Sequence, residues 1–407
     1  MERLRAVWTS HPESRPAVFA KVGDSISSGG ARGPFLACFD PGSGAAVDLG
    51  GRGLRAAVDY FGEARLAGGE SSFTRDSLAT EVSRNAEWAA TGSPSPLARE
   101  VEALRPGLAL VMFGSNDIQC FGCGLSDAEM ASIYFGNMRR IADELLARGV
   151  VPVLSSMPPR SDGPANLRRV PLFVNAVRAL AQGRRVPFVD YDREMERLPG
   201  LGLAGDGVHP SSCSQGPRDA CRFGEGVCGG RRVLDYGYNV RNLVTLEALD
   251  RLKRVLVDGV ASLDAAPARM GGSGTWAAPF VADQLPFTDL RDPAREGSAS
   301  VRKYGCPGAP AAPGPEVVYR LVLARETALR VAVLDGTSGM SGPSRHALYL
   351  LDASGRPDRC LQAADRSIGA RLPAGTYHLV VDAPSARGVG EFGLVAVECT
   401  AGDETCR

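Results

Sequence analysis

Four short apolar runs, each closed by turn-forming residues, constrain the fold of this chain more than any other feature. Ala17–Val22, Leu108–Phe113, Val150–Leu154 and Val186–Val189 are four to six residues long and show no polar alternation. Such runs suit strands buried on both faces of a parallel sheet. Helical stretches lie between them. One opens at Ser126, with Glu129 three positions on as a capping box, continues through Ile133, Tyr134, Ile141, Leu145 and Leu146, and stops at Gly149. Asn166–Gly183 is a second, and Tyr238–Leu263 the longest, with Leu243, Leu246, Leu249, Leu252, Leu256 and Val260 three or four apart. Strand–helix alternation predicts a three-layer α/β domain with right-handed crossovers.

The rhythm changes after residue 265. The Ala-, Gly- and Pro-rich stretch 265–285 looks like a linker. Beyond it, Val317–Val322, Ala328–Val333, His346–Leu351 and Tyr377–Val381 are short strand-like segments. Turns such as Asp335-Gly336 and Pro373-Ala374-Gly375 separate them, as in a small antiparallel sandwich. The expected division is a catalytic domain over 1–265, a linker over 266–299 and an accessory β-sandwich domain over 300–407.

Composition excludes several function classes. Lys+Arg and Asp+Glu both number 46 in 407 residues, so a broad nucleic-acid-binding surface is not expected. No apolar run approaches the roughly 18–20 residues of a membrane span. Four histidines (His11, His209, His346, His378) leave little room for a multi-histidine metal site. The ten cysteines show no paired zinc-binding pattern, and the lone Cys120-Phe121-Gly122-Cys123 reads as a tight disulfide loop. Six cysteines precede the linker and four follow it, which suits disulfides closed within each domain. That usage points to a secreted, periplasmic or cell-surface protein. The N-terminus has no apolar signal-peptide core, so either the signal is missing from this chain or the expectation of export is wrong.

Three segments carry residues suited to acyl transfer. Gly23-Asp24-Ser25 follows the first run, Gly114-Ser115-Asn116-Asp117 the second, and Asp206-Gly207-Val208-His209 comes after the last. The C-terminal strand ends of a parallel sheet share one edge, where distant segments converge. A serine hydroxyl needs a neighbouring base, and His209 can be that base for Ser25. Asp206, three residues earlier, can accept a hydrogen bond from His209 Nδ1–H and set its tautomer. The Ser25 backbone N–H and the Asn116 side-chain amide can receive the oxyanion.

Those three segments, in that order and spacing, resemble the blocks of the SGNH (GDSL) hydrolase family over residues 16–265. The resemblance implies a flavodoxin-like α/β/α fold, Ser25 as nucleophile, and neither metal nor organic cofactor. The family's second block supplies a glycine N–H to the oxyanion hole. Here the aligned position within 76–92 is Ser83, with Gly51 and Gly92 as alternatives, and a serine there is expected to avoid positive φ. A second departure is the cysteine-bearing stretch Ser211–Arg232 between His209 and the last helix, open to two readings: a wall of the substrate pocket or a stapled surface loop.

Gly314–Tyr319, Leu348–Leu351, Leu372–Asp382 and Gly390–Leu394 resemble bacterial pre-peptidase C-terminal β-sandwich modules. This domain offers no nucleophile or metal cluster, Asp352 and Asp382 reading as solvated loop carboxylates and Tyr349 as a core residue. Its open roles are glycan or cell-surface binding. The expected function is a serine esterase acting through an acyl-enzyme on a small-molecule or polysaccharide ester, with acetylated polysaccharide first among the substrates. The alternatives are a short-chain lipid or aryl esterase, an acyltransferase of the same fold, and a non-catalytic surface-binding protein.

Overall fold

The structure is a computed structural model of the chain. It describes residues 2–119, 122–214, 216–261, 270–309, 312–335, 345–383, 385, 390–400, 403 and 406. They form two compact units. The first comprises Met1–Gln119, Met138–Val170 and Arg185–Ala265, the second Cys120–Asn137, Pro171–Arg184 and Ala266–Arg407.

The described elements begin with α1 (Glu2–Thr9), β1 (Arg15–Gly23), α2 (Arg55–Glu63), α3 (Ala86–Ala89), α4 (Pro96–Leu104) and β2 (Pro106–Met112). Then come α5 (Asp127–Ala147), β3 (Val151–Ser155), α6 (Pro164–Arg184), β4 (Phe188–Val189), α7 (Tyr191–Glu196), the β5–β6 hairpin (Val227–Cys228, Arg231–Arg232) and α8 (Gly237–Leu252). Strands β1 to β4 make one all-parallel sheet in the order β1-β2-β3-β4. Beside β1, Thr80 makes a single parallel bridge to Gly23. The sequence Thr80-β1-β2-β3-β4 is thus the flavodoxin-like strand order 2-1-3-4-5, with its second strand reduced to one bridge.

Every residue of β2 is buried, as is Val18–Gly23 of β1. Phe19 meets Phe61 and Phe73 edge-on at 5.6 and 5.4 Å, and such pairs add about 0.5–1.5 kcal/mol beyond the area they bury. The one cation in that run, Lys21, donates to Phe73 O at 3.2 Å, and burial pushes its pKa down to about 8. The capping box is present at α5: Ser126 N–H donates to Glu129 Oε2 at 2.8 Å and Glu129 N–H to Ser126 Oγ at 3.3 Å.

In the second unit, β7 (Phe280–Ala282), β8 (Phe287–Arg291), β9 (Glu316–Leu323), β10 (Thr327–Leu334) and β11 (Ala347–Leu351) lead to β12 (Cys360–Ala364), β13 (Ser367–Leu372), β14 (Gly375–Asp382) and β15 (Phe392–Glu398). They pair as two sheets, β13-β10-β15-β8 and β12-β11-β14-β9-β7, antiparallel except for β7 on β9. Alternate residues such as Tyr319, Leu321, Leu350 and Val381 pack against Val331, Val333 and Leu394 of the other sheet, which makes a β-sandwich. The opposite face of β9, β11 and β14 is also covered, Val318, Tyr349 and Val380 packing with Tyr304. Burial on both faces explains why these strands read as unbroken apolar runs.

Several expectations change. The segment read as a linker contains β7 and β8, because Phe280 and Ala282 pack into the sandwich core. The helix expected to be the longest, α8, has 16 residues, ends at Leu252 and continues as a π turn over Lys253–Val257; α5 and α6, with 21 residues each, are longer, while 262 and 263 lie outside the described residues. Asp382 is a fully buried residue of β14 rather than a loop carboxylate. Disulfides join Cys38 to Cys221, Cys213 to Cys228, Cys306 to Cys360 and Cys399 to Cys406. Cys123 is disulfide-bonded as well, whereas Cys120 lies outside the described residues. Among the described residues, no helix is long and apolar enough to cross a membrane.

Candidate functional site

β1 ends at Gly23, where nothing larger fits: a Cβ there would lie 2.5 Å from Ser27 Oγ and 2.6 Å from Met112 O. The chain then turns sharply. Asp24 Oδ1 accepts the Ile26 N–H at 3.0 Å, and Asp24 O accepts those of Ser27 and Ser28, a turn built by the aspartate's own side chain. Ser25 stands half-buried on that turn. Beneath it, the buried Arg241 of α8 donates to Ile26 O and, at 2.8 Å, to Ser27 Oγ.

Ser25 Oγ lies 2.9 Å from His209 Nε2. His209 Nδ1 lies 2.6 Å from Asp206 Oδ2. Asp206 Oδ1 accepts the backbone N–H groups of Val208 and His209, both at 3.0 Å. Burial pushes the Asp206 carboxyl up, but these donors and the imidazole outweigh it and hold its pKa below the usual range. A carboxylate 2.6 Å from Nδ1 places the ring proton there and leaves Nε2 free to accept from the serine. Three side chains separated by up to 184 residues thus form one continuous hydrogen-bonded line.

The second strand-end loop lies alongside. Asn116 Nδ2 donates to Arg84 O at 2.9 Å and approaches Asp24 Oδ2 at 3.5 Å. An amide nitrogen carries two protons: one is held by Arg84 O, and the other, in the long 3.5 Å contact to Asp24 Oδ2, is the one a ligand oxygen can compete for. Asp117 accepts from Ala86 N–H at 2.9 Å and Gly114 N–H at 3.1 Å, tying this loop to the start of α3. Desolvation raises the pKa of Asp24 to about 6, and desolvation reinforced by Asp24 raises that of Asp117 to about 7.

The family model for the GDSL-like lipase/acylhydrolase family matches residues 22–212. Residues 22–212 are a GDSL-like lipase/acylhydrolase domain. No curated protein matches the chain. Among solved structures it is similar to a putative acylhydrolase from Bacteroides fragilis, with 18% identity over 61% of this chain and 95% of that one and a TM-score of 0.33. It is also similar to a catalytic mutant of an acetylxylan esterase from Geobacillus stearothermophilus (15%, 59% and 96%, 0.37). A third is the lipase/acylhydrolase from Enterococcus faecalis (17%, 61% and 98%, 0.33).

Within the GDSL-like domain, Ser83 departs from expectation. It adopts φ +63°, the left-handed conformation expected to be avoided. The local fold over-determines it: Gly23 N–H donates to Ala79 O at 3.0 Å, Glu81 N–H to Gly23 O at 3.2 Å, and Arg84 O is held by Asn116. The segment carrying Ser83 is thereby laid beside the serine turn. Gly51 and Gly92 also have positive φ, but Gly51 precedes α2 and Gly92 follows α3, outside this pairing. The cysteine-bearing stretch Ser211–Arg232 is tied by Cys213–Cys228 internally and by Cys221 to Cys38. Arg160 and Arg241 are not legible as candidates in the sequence, since an arginine that donates to a distant main-chain carbonyl leaves no local motif; Arg84 enters through its own carbonyl, which accepts from Asn116.

Proposed function

We propose that the protein is an exported serine esterase that hydrolyses carboxylic esters through an acyl-enzyme. The Ser25–His209–Asp206 line carries this reading. His209 Nε2 takes the Ser25 hydroxyl proton as Oγ attacks the ester carbonyl, and returns it to the departing alcohol. Asp206 holds the ring and stabilises the imidazolium. The Ser25 N–H, the Ser83 N–H and the second Asn116 amide proton receive the negative charge on the former carbonyl oxygen. Water then repeats the sequence on the acyl-serine.

The His209 and Asp206 side chains are 41% and 49% exposed. That openness supports hydrolysis over transfer, because acyl transfer requires water to be kept out. It also favours a small acyl group on a bulky alcohol, with acetylated polysaccharide first. The disulfides support an oxidising compartment.

The deciding experiment is hydrolysis of p-nitrophenyl esters from acetyl to dodecanoyl by wild type and Ser25→Ala, followed by acetate release from acetylated polysaccharides. Short-chain turnover that falls to background in the alanine variant is the expected result. Turnover that persists in Ser25→Ala, or a preference for the longest chains, overturns it.

A further inference from the structure

A third loop at the same sheet edge touches both halves of the site. After β3 the chain runs through Pro158-Pro159 to Arg160, whose side chain is fully buried. Its guanidinium grips Asp162 in a fork, Nε to Oδ1 at 2.8 Å and Nη2 to Oδ2 at 2.6 Å. Its remaining arm, Nη1, donates to Ser115 O, the carbonyl immediately before Asn116. The next residue, Ser161, donates its N–H at 3.0 Å to the carbonyl of Gly207, inside the Asp206–His209 turn. Gly207 has φ +69°, and a Cβ there would sit 2.7 Å from Ser161 Oγ, so the two segments are in direct contact. Asn166, at the start of α6, steadies the fork by donating to Asp162 Oδ2 at 2.9 Å.

A buried guanidinium is an expensive way to fill space. Desolvating it costs several kcal/mol, and apolar side chains of similar volume often serve stability as well or better. All of its described contacts here go to the neighbouring Asp162 and to one main-chain carbonyl of a site loop.

We infer that Arg160 is a positioning residue that fixes the Asn116 loop relative to the His209 turn. It touches no reacting atom and acts through Ser115 O on the amide that meets the oxyanion. This assignment rests on the esterase reading. A lysine keeps the charge but cannot hold the Asp162 fork and the Ser115 carbonyl together. A misplacement of about 1 Å in a reacting group costs on the order of 100-fold in rate.

The test is a double-mutant cycle on p-nitrophenyl acetate with Arg160→Lys, Asn116→Ala and the pair, reading kcat and KM separately and following melting by circular dichroism. Arg160→Lys is expected to lower kcat by about 10- to 100-fold with KM held within about threefold. In the Asn116→Ala background the same change is expected to cost less than about fivefold, because nothing remains to be positioned. An equal cost in both backgrounds, or none in either, overturns the assignment. If Arg160→Lys does not fold, the cycle is run with Asp162→Asn, whose side chain is partly exposed and which leaves Arg160 in place. A loss of about tenfold that disappears with Asn116→Ala supports the proposal, and an additive or absent loss defeats it. Ser25→Ala run beside these separates the two readings. Turnover that does not depend on Ser25 removes the esterase function and this role together, whereas Ser25-dependent turnover with an additive cycle removes only the role of Arg160.

Discussion

At the scale of single residues, the site depends on two groups that contribute hydrogen bonds rather than covalent chemistry. Asn116 has one amide proton committed to Arg84 O and the other only in a long 3.5 Å contact to Asp24 Oδ2. Asn116→Ala is expected to lower kcat by about 100- to 1,000-fold with little change in KM, read from initial rates on p-nitrophenyl acetate. Ser83 contributes through its backbone, so the identity of its side chain matters only through φ. At φ +63° a glycine is comfortable and a β-branched residue is not. Ser83→Gly is expected to keep kcat within about threefold, whereas Ser83→Val lowers it by about tenfold or more. A Ser83→Val enzyme with wild-type kcat removes this N–H from the oxyanion site.

At the scale of elements, the informative place is the pairing of β9 with β14, where Glu316 and Asp382 lie directly opposite each other and both are fully buried. Glu316 is satisfied by Trp276 Nε1, Ser298 Oγ and the Ser300 N–H. Asp382 Oδ2 accepts from Tyr304 OH at 2.6 Å, while Oδ1 has no hydrogen-bond partner among the described residues. Burial, with Glu316 adding to it, pushes the Asp382 pKa up from 3.8 to about 8. The folded chain therefore keeps a proton that the unfolded chain releases above about pH 4, and this group's penalty grows as pH rises from about 4 to 8. Asp382→Asn keeps the acceptor for Tyr304 and removes the titration. It is expected to raise Tm at pH 8 by a few degrees and to change it little at pH 4.5; a kcal/mol corresponds to about 2–4 °C in a unit of this size. An equal Tm gain at both pH values contradicts the raised pKa.

At the scale of the whole molecule, the same sign extends further. Asp24 and Asp117 are raised to about 6 and 7, and they too destabilise the folded chain as pH climbs. Asp40, Asp162 and Asp206 are held below their usual range, so their contributions are lost below about pH 4. Maximum thermal stability is expected between about pH 4 and 6, measured by melting across a buffer series; a maximum above pH 8 contradicts it. The disulfides act on the unfolded chain. Cys38–Cys221 closes a loop of 183 residues and joins the region after the serine turn to the loop after His209. In the chain-entropy model a loop of that length contributes about 5 kcal/mol, against about 3 kcal/mol for the 15-residue Cys213–Cys228 loop. The Cys38→Ser/Cys221→Ser pair is expected to lower denaturant stability more than the Cys213→Ser/Cys228→Ser pair.

The features legible in the chain are those that local chemistry encodes. Buried parallel strands need unbroken apolar runs, so β1, β2 and β3 are legible in the sequence, and the capping box marks the start of α5. Ser25 and Asn116 are legible because each sets a polar side chain in a turn at a strand end, and Asp206 and His209 because they share one short turn after the last strand of the parallel sheet. The remaining features arise from contacts between segments distant in the chain. β7 and β8 hide in a Gly- and Pro-rich stretch because their strand character comes from neighbours in the sandwich rather than from their own alternation. The left-handed Ser83 is forced by hydrogen bonds to Gly23 and Asn116, contacts formed across tens of residues. Arg160 and Arg241 work through main-chain carbonyls that any sequence possesses, so their importance arises from where folding puts those carbonyls.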